Sequence, residues 1–370
     1  MGLMRVLIAP DKFAGTLSAV EAAESIAAGW RRRSPDDHLT LAPMADGGPG
    51  FVGVVHAALG GELLAATVRG PLGEPAPITL LKVGDTVYVE SAQACGLDLV
   101  SDKRPMDAST FGVGEAIAYA LEAGARSIVV GLGGSATTDG GAGLLAALGS
   151  TADVPLDRGP AGLRGMTTFD VSPAVRALDG IDITIASDVT VGLLGMFGAA
   201  KTFGPQKGLD EMAVIDVDGI LDRFVVAACG STPAERRTAD LPGAGAAGGV
   251  GFALLMLGGT VVSGIELVAA TVGLAAKCRA HDLVVTGEGA YDFSSRSGKV
   301  VFGVAQIAAM EARPCIVVAG EVLVGSREMR AMGVESAYSM VEMVGRERSM
   351  SEAATSLGDL AERVARTWSF

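Results

Sequence analysis

Six carboxylates stand beside glycine or just where a short apolar run ends: Asp11, Asp46, Asp139, Asp188, Glu288 and Asp292. Three lysines occupy the same kinds of position, Lys12, Lys207 and Lys299. Carboxylates hold a metal or accept a hydroxyl proton, and lysines with bare backbone N–H groups neutralise phosphate oxygens. Together they are what a magnesium-nucleotide site needs, where positioning and charge stabilisation carry the catalysis. Any one of these aspartates could equally be a turn residue or a helix cap. Their recurrence at the ends of apolar runs is more informative than any single member.

The bend at 131–135 adds the backbone half of such a site. Residues 127–130 are β-branched and apolar enough for a buried strand, and Gly131, Gly133 and Gly134 follow without Cβ atoms. The N–H groups of Gly133, Gly134 and Ser135 can then face an anion. Asp139 reads as the cap of the next helix, whose apolar positions include Leu144, Leu145 and Leu148 and whose positive end adds to the attraction. A plain tight strand-to-helix turn is the alternative, because glycine also serves packing.

These residues need elements to carry them. Strands are expected at 4–9, 38–43, 63–68, 78–82, 86–90, 127–130, 181–186, 282–286, 315–319 and 336–340. Ser18 with Glu21 forms a capping box for a helix bearing Val20, Ala23, Ile26, Ala27 and Trp30. Helices follow at 51–59, at 109–124 capped by Ser109, and at 209–226. Ser263 with Glu266 starts one running to about Cys278, and Ser297-Gly298-Lys299 starts another to Glu311. The last is capped through Ser349 and Glu352, with Leu357, Leu360, Val364 and Trp368 on one face. Residues 198–208 read as a polar loop holding Lys207, and 149–176 as surface excursions without chemistry. Alternating strands and helices imply a parallel α/β sheet, whose ligand site lies beyond the carboxyl ends of the strands.

Composition sets further bounds. The chain has 370 residues, 49% hydrophobic but only 5% aromatic, with 52 glycines, so aliphatic cores for two domains are available. A net charge of −13 argues against a nucleic-acid platform. The four cysteines lack metal or redox spacing, which fits a reduced cytoplasmic protein, and the apolar N-terminal run is too short for a secretion signal. Residues 250–276 are interrupted by glycines and Glu266 before they could span a membrane. There is no Gly-x-x-x-x-Gly-Lys-Ser/Thr loop and no Gly-x-Ser-x-Gly elbow. Gly243 to Gly248 has dinucleotide-fingerprint spacing without a preceding strand, and His38, His56 and His281 are too isolated for zinc.

One set of motifs, taken in order, is more specific. It comprises Ala9-Pro10-Asp11, Pro43-Met-Ala-Asp-Gly-Gly48, Glu90-Ser-Ala-Gln93, Ala108-Ser-Thr-Phe-Gly-Val-Gly114, Gly131-Leu-Gly-Gly-Ser-Ala-Thr137 and Asp139-Gly-Gly-Ala-Gly143. It continues with Ser187-Asp188-Val, Phe203-Gly-Pro-Gln-Lys-Gly208, Pro242-Gly-Ala-Gly-Ala-Ala-Gly-Gly249, Ser263-Gly-Ile-Glu266, Thr286-Gly-Glu-Gly289 and Ser297-Gly-Lys299. Nearly end to end, the chain resembles the bacterial glycerate kinases that form 2-phosphoglycerate.

The resemblance implies transfer of the ATP γ-phosphate to D-glycerate with Mg2+, by a monomer or homodimer that binds neither nucleic acid nor membrane. It implies a Rossmann- or flavodoxin-like parallel-sheet domain from both chain ends, 1–62 and 262–370, a middle α/β domain at 63–261, and a site in the cleft between them. By motif position, Asp188 and Asp46 are expected at the metal or as catalytic groups. Lys299 is expected both as a catalytic group and, with Gly133, Gly134, Ser135, Glu288 and Asp292, at the nucleotide, and Asp11, Lys12 and Lys207 are expected at the substrate. Lys12 or Lys207 would meet the glycerate carboxylate, which is costly to bury unpaired.

The chain departs from the family pattern at Lys12 (often Ser), Ala14 (Lys), Pro49 (Glu), Val191-Gly192 (Asn-Pro) and Ala290 (Arg). Lys12 beside Asp11 can supply the charge that Ala14 lacks. These departures leave two other readings in play, a silent sensor that binds glycerate or nucleotide and a kinase for another small hydroxy acid.

Overall fold

The computed structural model describes residues 3–292 and 300–369, so Ser297, Gly298 and Lys299 lie outside the described residues. The chain divides into two compact units, one of residues 1–46, 53–60 and 265–370 and one of residues 47–52 and 61–264. Residues 47–52 thus go with the second unit, although the sequence groups them with the first. Among the described residues no helix is long and apolar enough to cross a membrane.

In chain order the strands are β1 (Arg5–Ile8), β2 (His38–Leu41), β3 (Glu62–Arg69), β4 (Pro75–Val83), β5 (Thr86–Glu90), β6 (Ser127–Gly131) and β7 (Thr151–Ala152). They continue with β8 (Phe169–Asp170), β9 (Asp182–Ala186), β10 (Thr260–Val262), β11 (Leu283–Tyr291), β12 (Cys315–Val322) and β13 (Ser336–Ser339).

The first unit holds a parallel sheet in the order β13-β12-β11-β1-β2. Numbered within the unit this is 2-1-3-4-5, the flavodoxin-like order, whose ligand crevice lies where the first and third strands part. Those strands are β1 and β11. The buried face of β1, β11 and β12 (Val6, Ile8, Leu283, Val285, Ile316, Val318) meets helices Ala19–Arg33 and Ala353–Trp368 through Ile26, Trp30, Leu357, Leu360 and Val364. The two helices approach closely because Gly29 lies against Gly358, where a Cβ would fall 1.9 Å from the Gly358 carbonyl oxygen. The Ser18–Glu21 capping box is present.

The second unit is built on a sheet ordered β10-β9-β6-β5-β4-β3, with β5, β6, β9 and β10 parallel and the β3–β4–β5 end antiparallel. Its aliphatic core includes Val87, Val89, Ile128, Val130, Ile185, Leu144, Leu145, Leu221 and Phe224.

Several elements differ from the sequence expectation. Residues 199–207 form a helix, Ala199–Lys207, in place of a polar loop. Gly198 enters it extended and Gly208 leaves it left-handed (φ +103°), so the glycines bracket a helix that tolerates Pro205 in its last turn. The segment after Ser263 breaks at Gly273 (φ +66°) into Gly264–Val272 and Leu274–Ala280. Helix Phe111–Glu122 is entered at Thr110, one residue beyond the expected Ser109 cap. Ser349 sits in a separate short helix, Arg346–Ser351, and its hydroxyl donates to the Arg346 carbonyl, so it does not cap the final helix. β11 runs beyond the expected end at Thr286, through Gly287-Glu288-Gly289, because Glu288 pairs with Ala319 and Ala290 with Glu321.

Candidate active site

In the first unit the expected carboxylates collect at the carboxyl edge of adjoining parallel strands. β1 ends at Ile8, and the Asp11 N–H then donates to the Gly287 carbonyl of β11 (2.8 Å), one residue before Glu288. The Met44 N–H donates to the Pro10 carbonyl (2.9 Å), which ties the segment leading to Asp46 alongside. Asp11 and Glu288 are buried, while Asp46 and Asp292 are half-buried. Lys12 Nζ stands 3.8 Å from Asp11 Oδ1, and the Lys12 N–H donates to that oxygen (2.7 Å). Asp11, Asp46, Glu288 and Asp292 therefore share the edge where β1 and β11 diverge, as strand alternation predicts.

In the second unit the bend after β6 is shaped by close packing. Cβ atoms on Gly131 and Gly133 would fall 2.5 Å from the Gly47 oxygen and 2.7 Å from Gly48 Cα, and one on Gly134 2.9 Å from Pro49. Both readings of the glycines therefore have content, because only glycine lets residues 47–49 lie on the bend. Pro49, one of the departures, supplies part of that contact.

Segment 47–52 is held by Glu90 at the end of β5, whose buried carboxylate accepts from the N–H groups of Gly50 (2.9 Å) and Val52 (3.1 Å). Ser91 donates its hydroxyl to the Gly131 carbonyl (2.8 Å), and Gln93 accepts from the Thr79 N–H (2.6 Å). The Glu90-Ser-Ala-Gln93 motif had no assigned role in the sequence. Its signal was a row of polar side chains at the end of a buried strand.

The bend leaves donors over. The Ala136 N–H donates to Cys95 and the Leu132 N–H to Ala186. The N–H groups of Gly133, Gly134 and Ser135 find no partner among the described residues. Lys207 comes to the same place from the end of its helix. Only 3% exposed, it donates through Nζ to Ser135 Oγ (3.0 Å) and to the Thr137 carbonyl (2.5 Å). No carboxylate forms an ion pair with it among the described residues. Burial pulls its pKa down to about 8, against the opposing effect of Cys95 and Asp139. A cationic group and backbone amides free to donate on one bend are the groups that bind an anion.

The N-cap of the helix after the bend is Gly141 and not the expected Asp139, whose carboxylate instead reaches two helix starts. Fully buried, its carboxylate accepts from the Thr110 N–H and hydroxyl (both 2.9 Å), the Gly141 N–H (3.1 Å) and the Gly143 N–H (3.2 Å). It thereby joins the starts of helices Phe111–Glu122 and Ala142–Ala147. Burial raises its pKa despite these donors.

Asp188 stands two residues past β9, the neighbour of β6, and accepts from the Ser263 hydroxyl (2.7 Å) that follows β10. The departure Val191-Gly192 packs on the glycine-rich turn after Pro242, and the Val191 carbonyl accepts from the Gly245 N–H (2.9 Å). Among the described residues no three His, Cys, Asp or Glu side chains are grouped to hold a metal. Magnesium at a nucleotide needs only one or two carboxylates, because phosphate oxygens and waters complete its shell. Asp188, oriented by Ser263, fits that requirement.

Comparison with known proteins gives this arrangement a context. Residues 6–369 match the sequence profile of the glycerate kinase family. The chain is 38% identical over 351 residues to glycerate 2-kinase of Escherichia coli, covering 92% of each. It is 41% identical to an uncharacterised Mycobacterium tuberculosis protein, over 98% of this chain and 91% of that one. The crystal structure of a putative glycerate kinase 2 from Salmonella typhimurium superposes with a TM-score of 0.80 at 35% identity, over 99% of this chain and 98% of that one. Full-length identity at this level, a matching fold and the motifs just located together make the chain a member of the glycerate kinase family, a kinase enzyme.

Proposed function

We propose that the protein transfers the γ-phosphate of ATP to the 2-hydroxyl of D-glycerate with Mg2+, in a reducing compartment such as the cytoplasm, where its four free thiols would persist. The observation that carries this reading is the bend at Gly133, Gly134 and Ser135, with unpaired amides and a buried lysine that forms no ion pair among the described residues. The phosphate chain is the anion it would take. The E. coli relative is named a 2-kinase, which favours the 2-hydroxyl.

In this reading each group has its own task. Gly133, Gly134 and Ser135 hold phosphate oxygens by their N–H groups, and Lys299, Glu288 and Asp292 belong to the nucleotide side. Asp188 takes the hydroxyl proton or a place at the metal, and Asp46 the metal or substrate. Asp11 and Lys12 face glycerate, where the Lys12 ammonium offsets its carboxylate. Magnesium, when bound, would neutralise the phosphate oxygens during transfer.

Purified protein should release ADP from ATP only with D-glycerate and Mg2+, and phosphorus NMR should identify 2-phosphoglycerate. Folded protein giving no ADP above background would refute the reading. Higher kcat/KM with L-glycerate, tartronate or glycolate would redirect it to another hydroxy acid.

A further inference from the structure

Lys207 has more donors than its surroundings use, and the direction of one bond suggests why. A hydroxyl that accepts a hydrogen bond from an ammonium must turn its own proton away from it. Lys207 Nζ donates to Ser135 Oγ (3.0 Å), so the Ser135 proton points elsewhere, and it meets no acceptor among the described residues. The second Lys207 bond, to the Thr137 carbonyl (2.5 Å), fixes the ammonium on the same loop. Ser135 is itself 4% exposed, so water does little to reorient either group. Its own N–H is among the unpaired amides of the bend.

We propose that Lys207 is a positioning residue and not a substrate contact: its ammonium orients and polarises the Ser135 hydroxyl as a donor to the phosphate held by the amides of Gly133, Gly134 and Ser135. This rests on the function proposed above. It moves Lys207 from the glycerate carboxylate to the nucleotide side and leaves Lys12 to meet the carboxylate. A charge-assisted donor aimed in advance at a phosphate oxygen needs no reorganisation during transfer. A buried cation without an ion-pair partner is costly, and a phosphate bound beside it would offset that cost. The titratable or charged groups around it are the buried Cys95 thiol, pushed up to about 12 by burial, the Asp139 carboxylate and Lys103, which donates to the Gln206 carbonyl.

A double-mutant cycle tests this. Wild type, Lys207→Met, Ser135→Ala and the double variant are compared by kcat and KM for ATP and D-glycerate, from pH 7 to 9.5. Each single variant should lose roughly tenfold to a hundredfold in kcat/KM for ATP, and the double variant little more than the worse single one, because both remove the same donor. KM for glycerate should stay within about twofold. Wild-type kcat/KM for ATP should fall as pH rises through about 8, where the ammonium loses its proton, and Ser135→Ala should abolish that limb. Multiplying losses, a rise in glycerate KM alone, or persistence of the limb in Ser135→Ala would overturn the proposal while turnover kept the function intact. Ser135→Ala removes a single oxygen, so its pH profile decides the matter even if Lys207→Met fails to fold. A wild type without turnover would remove both proposals.

Discussion

At the residue scale, Asp139 and Asp188 are both aspartates near strand ends, yet their surroundings divide their tasks. Asp139 is sealed from solvent by four donors on two helix starts. Asp139→Ala should therefore cost roughly 2–4 kcal/mol of unfolding free energy, more than a simple cap, because three backbone N–H groups lose their acceptor inside the protein. Its raised pKa also fixes a sign. Stability from this group is fully present below the unfolded carboxyl value of about 3.9 and is lost as pH rises through the higher folded value. The stability difference between wild type and Asp139→Asn in urea titrations should shrink from pH 4 upward, and a difference that grows would contradict it. Asp188, half-buried and accepting from Ser263, is the aspartate that the proposed function assigns to the reaction. Asp188→Asn should leave the melting temperature unchanged and lower kcat by about 10²-fold or more, and Ser263→Ala should lower it by roughly fivefold, the worth of one lost orienting hydrogen bond.

Elements are legible where a periodic pattern meets a side-chain signal, and hidden where glycine inside a helix resembles punctuation. Ser18 and Glu21 announced their helix, and the apolar positions of the last helix predicted its buried face. Helix Ala199–Lys207 was hidden because Gly198, Gly204, Pro205 and Gly208 resemble a loop in sequence, although two of them bracket the helix and Gly204 lies where Leu209 and Val214 close over it. Likewise, nothing in the sequence marks Gly29 as a crossing point, since its partner Gly358 lies 329 residues away. The contact makes a sharp prediction. Gly29→Ala should destabilise by about 2–3 kcal/mol in urea unfolding, because the new methyl must push the helices apart. A Cβ on Gly358 comes no nearer than 3.3 Å to any atom, the Ser25 oxygen, with the flexible Arg32 side chain next, so the gain in helix propensity of Gly358→Ala should leave it within about 1 kcal/mol of wild type.

On the scale of the whole molecule, the chain crosses between its two units within the first sixty residues. Segment 47–52 belongs to the second unit and packs on the bend after β6, while residues 53–60, which include most of helix Phe51–Leu59, belong to the first. The Glu90 carboxylate holds that crossing at Gly50 and Val52. Glu90→Ala should lower stability by about 3 kcal/mol, from two bonds to a charged group, and should open residues 47–50 to limited proteolysis. Resistance equal to wild type would show that packing of Gly47, Gly48 and Pro49 suffices alone. What the sequence determined by itself was local or cumulative: which runs become strands, which residues cap helices, and that acidic groups and bare glycines recur at strand ends in the order of the glycerate kinase family. The tertiary structure alone decided what each polar group touches. Asp139 bridges two helices, Glu90 binds a segment forty residues earlier, and Lys207 is spent on Ser135, because hydrogen-bond partners are chosen by proximity in the folded chain and sequence spacing carries no record of it.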